Sequence, residues 1–222
     1  MPTPLIDTIL VAQGAEYQAV CRGLQNVESP PSVLPIPIGT APVQRFLAKQ
    51  PQLDRRSILV MGLCGSLQPS YPVGTAVLYC SVKAMIGREV GHWLCDAALT
   101  QSLQLQLPAV PLVQSWTSEQ FVNSRTAKQQ LRQTYGVDVV DMEGKAILTT
   151  LRTARIATLR VVSDDCQHNL PNLDRAISAE GELRLLPLVT SLMTHPVSGL
   201  RLIHGSLQGL KYLQQLTTVL FT

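Results

Sequence analysis

The sequence predicts a three-layer α/β fold built as one domain. Short apolar runs rich in β-branched residues alternate along the chain with stretches of helical periodicity. Several of these runs are apolar on both faces, which is typical of strands covered by helices on each side. The chain has 222 residues, 45% of them hydrophobic, which is enough for one large core. Alternation of this kind favours a sheet between two helical layers.

Each element can be placed on the sequence. Seven strands are predicted, at 8–12, 33–38, 57–62, 75–82, 109–115, 137–140 and 156–163. Five helices are predicted, at 15–24, 42–49, 92–104, 124–134 and 143–153.

The C-terminal part has a different composition. From Leu183 to Thr222 the chain contains no Asp or Glu. Its apolar residues keep the spacing of one helix face, at Leu200, Ile203, Leu207, Leu210 and Leu213. We therefore expect a single domain over residues 1–222, with an apolar helical extension at 183–222.

Composition excludes several classes of function. The net charge of +3, without a Lys/Arg run, argues against a nucleic-acid partner. The five cysteines are scattered and form no C-x-x-C pair, which indicates reduced thiols in the cytoplasm. The four histidines lack ligand spacing, so no metal site is expected. The first residues do not read as a signal peptide, and no apolar run approaches the roughly 20 residues of a membrane span.

Acidic residues follow three of the predicted strands. Glu16 follows the first, Asp141 and Glu143 follow the sixth, and Asp164 and Asp165 follow the last. Each one alone is explained by helix capping or a turn. Because the carboxyl ends of parallel strands lie at one edge of a sheet, these acids can also converge. Converging carboxyl groups without a metal favour glycosidic cleavage, in which an acid protonates the leaving group and a base activates water.

Two further segments are candidates for ligand contact. "MGLCGSL" (61–67) predicts a Gly-rich loop that lets a ligand approach the backbone, or an ordinary tight turn. It also fits a nucleophile elbow at Cys64, although the prolines that follow disfavour the helix that an elbow needs. In "SWTSEQFV" (115–122), Trp116 and Phe121 can stack on a planar base or pack in the core.

Together these segments resemble the nucleoside phosphorylase / methylthioadenosine–adenosylhomocysteine nucleosidase family. The resemblance covers about residues 8–166 and rests on "ILVAQGAE", "MGLCGSL", "SEQFV", "VVDMEGKAI" and "LRVVSDD" in that order, with "DMEG" and the later "RVVSD" its most specific part. It implies a central mixed, partly barrel-like sheet and cleavage of a purine nucleoside without a metal or cofactor, apart from phosphate in a phosphorylase. Family members form dimers or hexamers, and we expect a homodimer.

The resemblance also implies roles for single residues. Asp164 matches the general acid at N7 of the purine, and Ser163 orients it. Glu16 matches the glutamate that positions or activates the attacking water. Arg160 matches an arginine near the sugar and the nucleophile. The implied substrate-binding residues are Glu143, Met142, Phe121, Val122, Ser163, Gly62, Cys64 and Gly65.

The implied binding roles agree with the chemistry of these side chains. Glu143 would accept hydrogen bonds from two ribose hydroxyls while Met142 packs against the sugar. Phe121 would stack on the base, and the backbone of Val122 would read its edge.

Three positions depart from the family pattern. Val60 stands where phosphorylases often carry an arginine, and Leu63 stands where they carry a hydroxyl. Both family residues bind phosphate, so their absence favours hydrolysis, although the lost hydroxyl also positions water in the nucleosidases. Lys145 replaces a small residue.

The C-terminal sequence "ISAEGELRLLPLVTSLMTHPVSGLRLIHGSLQGLKYL" is similar to the hopanoid-associated phosphorylase subgroup, whose members are thought to remove adenine from adenosylhopane. The leading hypothesis is therefore an N-glycosidase for an adenosine with an apolar 5′ group. Alternatives are a methylthioadenosine/adenosylhomocysteine nucleosidase, a purine nucleoside phosphorylase, and a nucleoside-binding protein without turnover. The C-terminal helices would form an apolar rim or touch a membrane surface, or else pack as a core or subunit-interface element.

Overall fold

A computed structural model describes residues 6–171, 178–182 and 196–222. Its strands are β1 Thr8–Ala12, β2 Ser32–Ile36, β3 Ser57–Ser66, β4 Ala76–Ile86, β5 Glu89–Leu94, β6 Leu112–Thr117, β7 Val139–Asp141 and β8 Arg155–Asp164. Its α-helices, within the described residues, are α1 Ala15–Gly23, α2 Thr40–Leu47, α3 Ala97–Gln106, α4 Arg125–Tyr135, α5 Gly144–Thr150 and α6 Pro196–Phe221.

Five of the strands close into a barrel. β3 pairs with β8, β8 with β4, β4 with β6, β6 with β7, and β7 returns to β3. The β3–β7 and β4–β8 pairs are antiparallel, and the other three are parallel. β1 and β2 extend the sheet beyond β3, and β5 extends it beyond β4. The predicted mixed, partly barrel-like sheet is confirmed.

Two hydrophobic clusters cover the two faces of β1 and β3. Ile9, Val11, Leu59 and Met61 pack in one cluster with residues of α1, α3 and α6. The alternate residues Leu10, Ile58 and Val60 pack in the other with residues of α2 and α5. Successive side chains of a strand point to opposite faces, so strands that are apolar throughout become the middle layer between helices.

The long helix α6 packs through small residues. Its buried positions recur every fourth residue, at Gly205, Gly209, Leu213 and Thr217. A Cβ at Gly205 would collide with the carbonyl oxygen of Ser163, so the helix lies directly on the end of β8. The predicted helix is confirmed, but only part of its apolar stripe packs against the sheet: Leu213 is buried and Leu210 packs against the core. Leu200 and Leu207 are 68% and 63% exposed.

The sequence predictions need three corrections. "MGLCGSL" is strand rather than loop, because β3 continues to Ser66 and pairs with β8 across a register shift at Cys64/Gly65. The helix predicted at 92–104 begins at Ala97, and β5 precedes it. The helix predicted at 143–153 ends at Thr150.

Residues 183–195 of the predicted extension lie outside the described residues, and its separation from the domain stays a prediction. Among the residues that are described, no helix is long and apolar enough to span a bilayer.

Candidate active site

A cavity opens where three strands end. Its volume is about 770 Å³, and Ala12, Asp141 and Asp164, the last residues of β1, β7 and β8, contribute to its wall. The predicted convergence of acids is confirmed for Glu16, Asp141, Glu143 and Asp164 but not for Asp165. The reason differs for Asp141, because β7 runs antiparallel to β3 and reaches this edge through the closure of the barrel.

A buried arginine organises one side of the cavity. Arg160 on β8 donates from Nη2 to Oε2 of Glu143 at 3.3 Å and from Nη1 to the Leu63 carbonyl at 3.1 Å. The other oxygen of Glu143 accepts the Gly39 amide at 3.1 Å. Glu16 accepts the Leu63 amide at 2.8 Å. The backbone of β3 and a single guanidinium therefore fix two carboxylates that line the cavity.

Gly62 makes room for this arrangement. Its φ is 149°, and a Cβ there would collide with the Glu16 carboxylate and lie 2.7 Å from Nη1 of Arg160. Gly62 is not among the cavity-lining residues but lies behind these two side chains. Its predicted place beside a ligand is therefore corrected to the support of Glu16 and Arg160.

Burial changes the ionisation of both carboxyl groups. Burial raises the pKa of Glu16 to about 7, against the opposing effects of Arg160 and the Leu63 N–H, and Glu143 adds to the rise. Burial also raises the pKa of Glu143, although Arg160 opposes it. Near neutral pH Glu16 can therefore exchange a proton, which a general base needs.

A second ion pair lies on the other side of the cavity. The Asp164 carboxylate accepts the Ser163 hydroxyl on Oδ1 at 3.0 Å and pairs through Oδ2 with the ammonium of Lys128 on α4. Lys128 is completely buried and also donates to the Asp165 carbonyl at 2.6 Å. A Cβ at Gly65 would lie 2.9 Å from Oδ2, so β3 passes directly against this carboxylate.

Asp141 serves the helix that follows it. Its oxygens accept the hydroxyls of Ser115 and Thr117 at 3.2 and 2.7 Å and the amides of Glu143 and Gly144 at 3.2 and 3.0 Å. Capping therefore explains Asp141, while Glu143 points to the cavity.

Asp165 lies outside the cavity lining. It accepts the backbone N–H groups of Gln167 and His168 and pairs with the His168 ring at 3.0 Å. Burial raises the pKa of Asp165, but His168 and the amides outweigh that effect and leave it lowered.

The two predicted aromatic candidates have different positions. Phe121 lines the cavity together with Val122 and Met142. Trp116 is buried and stacks on Tyr135, with ring centroids 4.0 Å apart. The core alternative therefore holds for Trp116, whereas Phe121 lies in the cavity wall.

Cys64 lies in the cavity wall, and the nucleophile elbow, which the following prolines already disfavoured, is not formed. β3 continues past it to Ser66, and the next element is β4. Burial raises the pKa of the Cys64 thiol far above its ordinary value, although Arg160 opposes the shift. A thiol held in its neutral form is a poor nucleophile.

The sequence analysis missed Lys128 and Gly39. Lys128 lies in a helical pattern with Leu131 and Tyr135, on the face that turns inward, where an apolar residue is expected. A charged residue at a buried helix position could have indicated a functional residue from the sequence alone. The Gly39 amide had none, because its contact with Glu143 depends on how α2 and β7 meet.

A further part of the cavity wall comes from apolar side chains of α6. Leu202, Ile203, Leu207 and Leu210 line it. Over the described residues, no group of three or more His, Cys, Asp or Glu side chains is placed to hold a metal ion.

Solved structures with this fold cover nearly the whole chain. A methylthioadenosine/adenosylhomocysteine nucleosidase of Helicobacter pylori is 13% identical with a TM-score of 0.69, covering 94% of each chain. Futalosine hydrolase of the same organism is 13% identical with a TM-score of 0.69, covering 96% of this chain and 95% of its own. An adenosylhomocysteine nucleosidase of Streptococcus pyogenes is 13% identical with a TM-score of 0.68, covering 96% and 94%.

Sequence comparison identifies the family. No curated protein sequence matches the chain. The family model for the phosphorylase superfamily matches residues 14–192, more than half of the chain, in agreement with the motifs described above. The chain therefore belongs to the phosphorylase superfamily.

Proposed function

We propose that the protein hydrolyses the N-glycosidic bond of an adenine nucleoside that carries an apolar 5′ substituent. One observation carries the proposal: Glu16, Glu143 and Asp164 line a single cavity that apolar side chains of α6 also line. The solved structures with this fold include two nucleosidases and a hydrolase, which supports the same class of reaction. Superfamily membership supports a reaction without a cofactor.

The sugar binds at Glu143. Each of its oxygens already accepts one hydrogen bond, from Gly39 or Arg160, and keeps a second lone pair for a ribose hydroxyl. Met142 lies beside it in the cavity wall and covers the apolar side of the sugar. The base stacks on Phe121 at the Asp164 end of the cavity.

The two remaining carboxyl groups move protons. Asp164 delivers a proton to N7 of the purine as the C1′–N9 bond breaks and its electron pair passes to the base. Water bonds to C1′ of the cationic sugar, and Glu16 accepts the proton that this water loses. The pKa of Glu16, about 7, suits this step near neutral pH.

Water is favoured over phosphate as the nucleophile. Val60 is 1% exposed and packs in the core rather than facing the cavity. Leu63 provides no hydroxyl, and its backbone N–H and C=O are used by Glu16 and Arg160. Among the described residues of the cavity wall, Arg160 is the one basic side chain, and it is held by Glu143.

The wall formed by α6 selects the 5′ group. Ile203 and Leu207 line the cavity and are also 42% and 63% exposed, so the apolar surface continues from the cavity to the outside. A long hydrocarbon group on the 5′ carbon would follow this surface and gain about 25 cal/mol per Å² that it removes from water. An adenosine-linked precursor of hopanoid biosynthesis would carry such a hydrocarbon group.

The same surface supports two further parts of the proposal. Leu200 and Leu207 are exposed beside the basic Arg201, a combination that suits peripheral contact with a membrane that holds the substrate. We also propose a cytoplasmic homodimer, which would shield part of the exposed apolar surface.

A second candidate substrate is methylthioadenosine or adenosylhomocysteine. The observation that favours it is the fold shared with nucleosidases named for these compounds. Such a substrate would use Glu16, Glu143 and Asp164 as above and leave much of the α6 wall uncovered.

The test follows adenine release from adenosine, methylthioadenosine and a long-chain 5′-alkyl adenosine, each with and without phosphate. We expect phosphate-independent release, fastest from the alkyl nucleoside. A preference for methylthioadenosine would establish the second candidate. Tight binding without release from any of the three would contradict the enzyme hypothesis and indicate a nucleoside-binding protein.

A further inference from the structure

Helix α4 buries a lysine rather than an apolar residue. Over Arg125–Tyr135, Lys128 is the one fully buried residue. Burial of an ammonium costs several kcal/mol unless a partner compensates it, so its position needs a chemical reason.

Lys128 lies directly behind Asp164. Its ammonium pairs with Oδ2 of Asp164 and donates to the Asp165 carbonyl at 2.6 Å, while Asp164 lines the cavity and Lys128 does not. Ser163 holds the other oxygen of the carboxylate. Asp164 is therefore a bridge between a buried proton donor and the bound base.

We propose that Lys128 is a positioning residue that supplies, through Asp164, the proton required by the departing base. The inference rests on the proposed function. Before the reaction the pair is an ammonium and a carboxylate and holds one transferable proton. The carboxylate has no proton of its own to give, so the proton that reaches the base starts on the ammonium of Lys128.

The step balances as follows. A proton passes from Nζ of Lys128 to the Asp164 carboxylate. The carboxyl group so formed gives that proton to N7 as the C1′–N9 bond breaks and its electron pair goes to the base. Water bonds to C1′ and loses a proton to Glu16. After adenine leaves, the neutral Lys128 amine regains a proton from cavity water through Asp164, and Glu16 releases its own.

The alternative is a fixed counterion with no part in proton transfer. Arginine separates the two cases, because a guanidinium keeps the positive charge but does not release its proton. Among the described residues, Cys64 on β3 also interacts electrostatically with Asp164, and the Asp165–His168 pair follows it in the chain. They are unchanged in variants of Lys128.

The experiment compares Lys128→Met and Lys128→Arg with the wild-type protein. The rate of adenine release gives kcat/KM at one acidic pH, about 5.5, and at one alkaline pH, about 8.5. The ratio of variant to wild type is used at each pH, so the ionisation of Glu16 cancels. Lys83→Met is the matched control, since Lys83 is a partly buried lysine that donates to the Tyr135 carbonyl.

We expect the ratio of variant to wild-type kcat/KM to fall for both variants as the pH rises. At the acidic pH solvent supplies the proton that Lys128 no longer provides, and the loss stays within about three-fold. At the alkaline pH the loss reaches about a hundred-fold, the size of a general-acid contribution. Lys83→Met should retain its ratio at both values. Thermal unfolding at each pH shows whether the variants remain folded.

Several results would overturn the inference. One is a loss of kcat/KM in the variants that is equal at both pH values. Another is full activity of Lys128→Arg. If the variants do not fold, the wild-type profile decides, because a fall in its kcat/KM between about pH 7.5 and 9 would show that the pair does not keep the proton. No adenine release by the wild-type protein would instead refute the proposed function itself.

Discussion

The two sides of the cavity use positive charge differently. On the sugar side one guanidinium, Arg160, contacts Glu143 and lies close to Glu16, and the backbone of Leu63 joins the three. On the base side one ammonium, Lys128, pairs with the single carboxylate of Asp164. A guanidinium gives a permanent charge, and an ammonium can also give up a proton. The comparison suggests a fixed frame for the sugar and a transferable proton for the base.

Asp164→Asn breaks the base side and should have the largest effect. The amide cannot pass a proton to N7, so kcat/KM for adenine release should fall about 10³-fold. The variant also leaves Lys128 as an unpaired buried charge, and the free energy of unfolding should drop by about 3–5 kcal/mol.

Denaturant unfolding and adenine release of Asp164→Asn/Lys128→Met provide the control. The double variant should recover stability without recovering activity. Recovered activity would show that Asp164 is not the acid.

Gly62→Ala breaks the frame on the sugar side. The new Cβ collides with the Glu16 carboxylate and crowds Nη1 of Arg160, so both must move. A displacement near 1 Å costs about a hundred-fold in rate, and we expect that loss in kcat/KM.

Gly136→Ala is the matched control for that loss. Gly136 also has a positive φ, 62°, but a Cβ there meets no atom within 4 Å. It should lower stability by about 1–2 kcal/mol through backbone strain and leave kcat/KM unchanged. Equal kinetic losses in the two variants would contradict the proposed crowding.

Glu16→Gln separates activity from stability. Without the base, kcat/KM should fall about a hundred-fold. The stability effect has the opposite sign. Burial raises the pKa of Glu16 from 4.5 to about 7, so its ionisation destabilises the native state as pH rises through this range.

Melting temperatures measured at several pH values check this sign. Glu16→Gln should melt like the wild type below about pH 4.5 and higher than it above about pH 7. If Glu16→Gln is instead less stable than the wild type at alkaline pH, burial of the ionised Glu16 does not destabilise the native state.

Leu207→Glu tests the apolar wall and should have the smallest effect. The carboxylate is placed where the 5′ hydrocarbon leaves the cavity, so kcat/KM for the long-chain 5′-alkyl adenosine should fall about ten-fold, the cost of a few buried methylene groups. Release from methylthioadenosine should change little. Val219→Glu, also on α6 and 65% exposed but outside the cavity wall, is the control. Equal losses on both substrates would refute selection by α6.

Much of the fold could be predicted because the strands are apolar on both faces and the helices have clear periods. β5 was missed, since Glu89, Gly91 and His92 break its apolar pattern at an edge that faces solvent. The "MGLCGSL" segment was read as a loop because glycines suggest turns. Here they make room for Glu16, Arg160 and Asp164 beside a continuous strand.

The candidate site shows the same division. Residues that line the cavity, such as Glu143 and Phe121, lie in contiguous motifs and could be proposed from the sequence. Lys128 was missed although its place on the inward face of a helix was a signal, because its partner is distant in the chain and no motif includes it. Local patterns indicate which side chains reach a ligand, whereas the charges behind them depend on tertiary packing.

The most direct test of the account identifies the sugar product. Purified protein would convert a 5′-alkyl adenosine completely in excess phosphate, and mass spectrometry would analyse the sugar that accompanies adenine. The account predicts the free 5′-alkyl ribose, because Val60 and Leu63 provide no phosphate ligands. A ribose 1-phosphate would contradict it and show that phosphate, rather than water, attacks C1′.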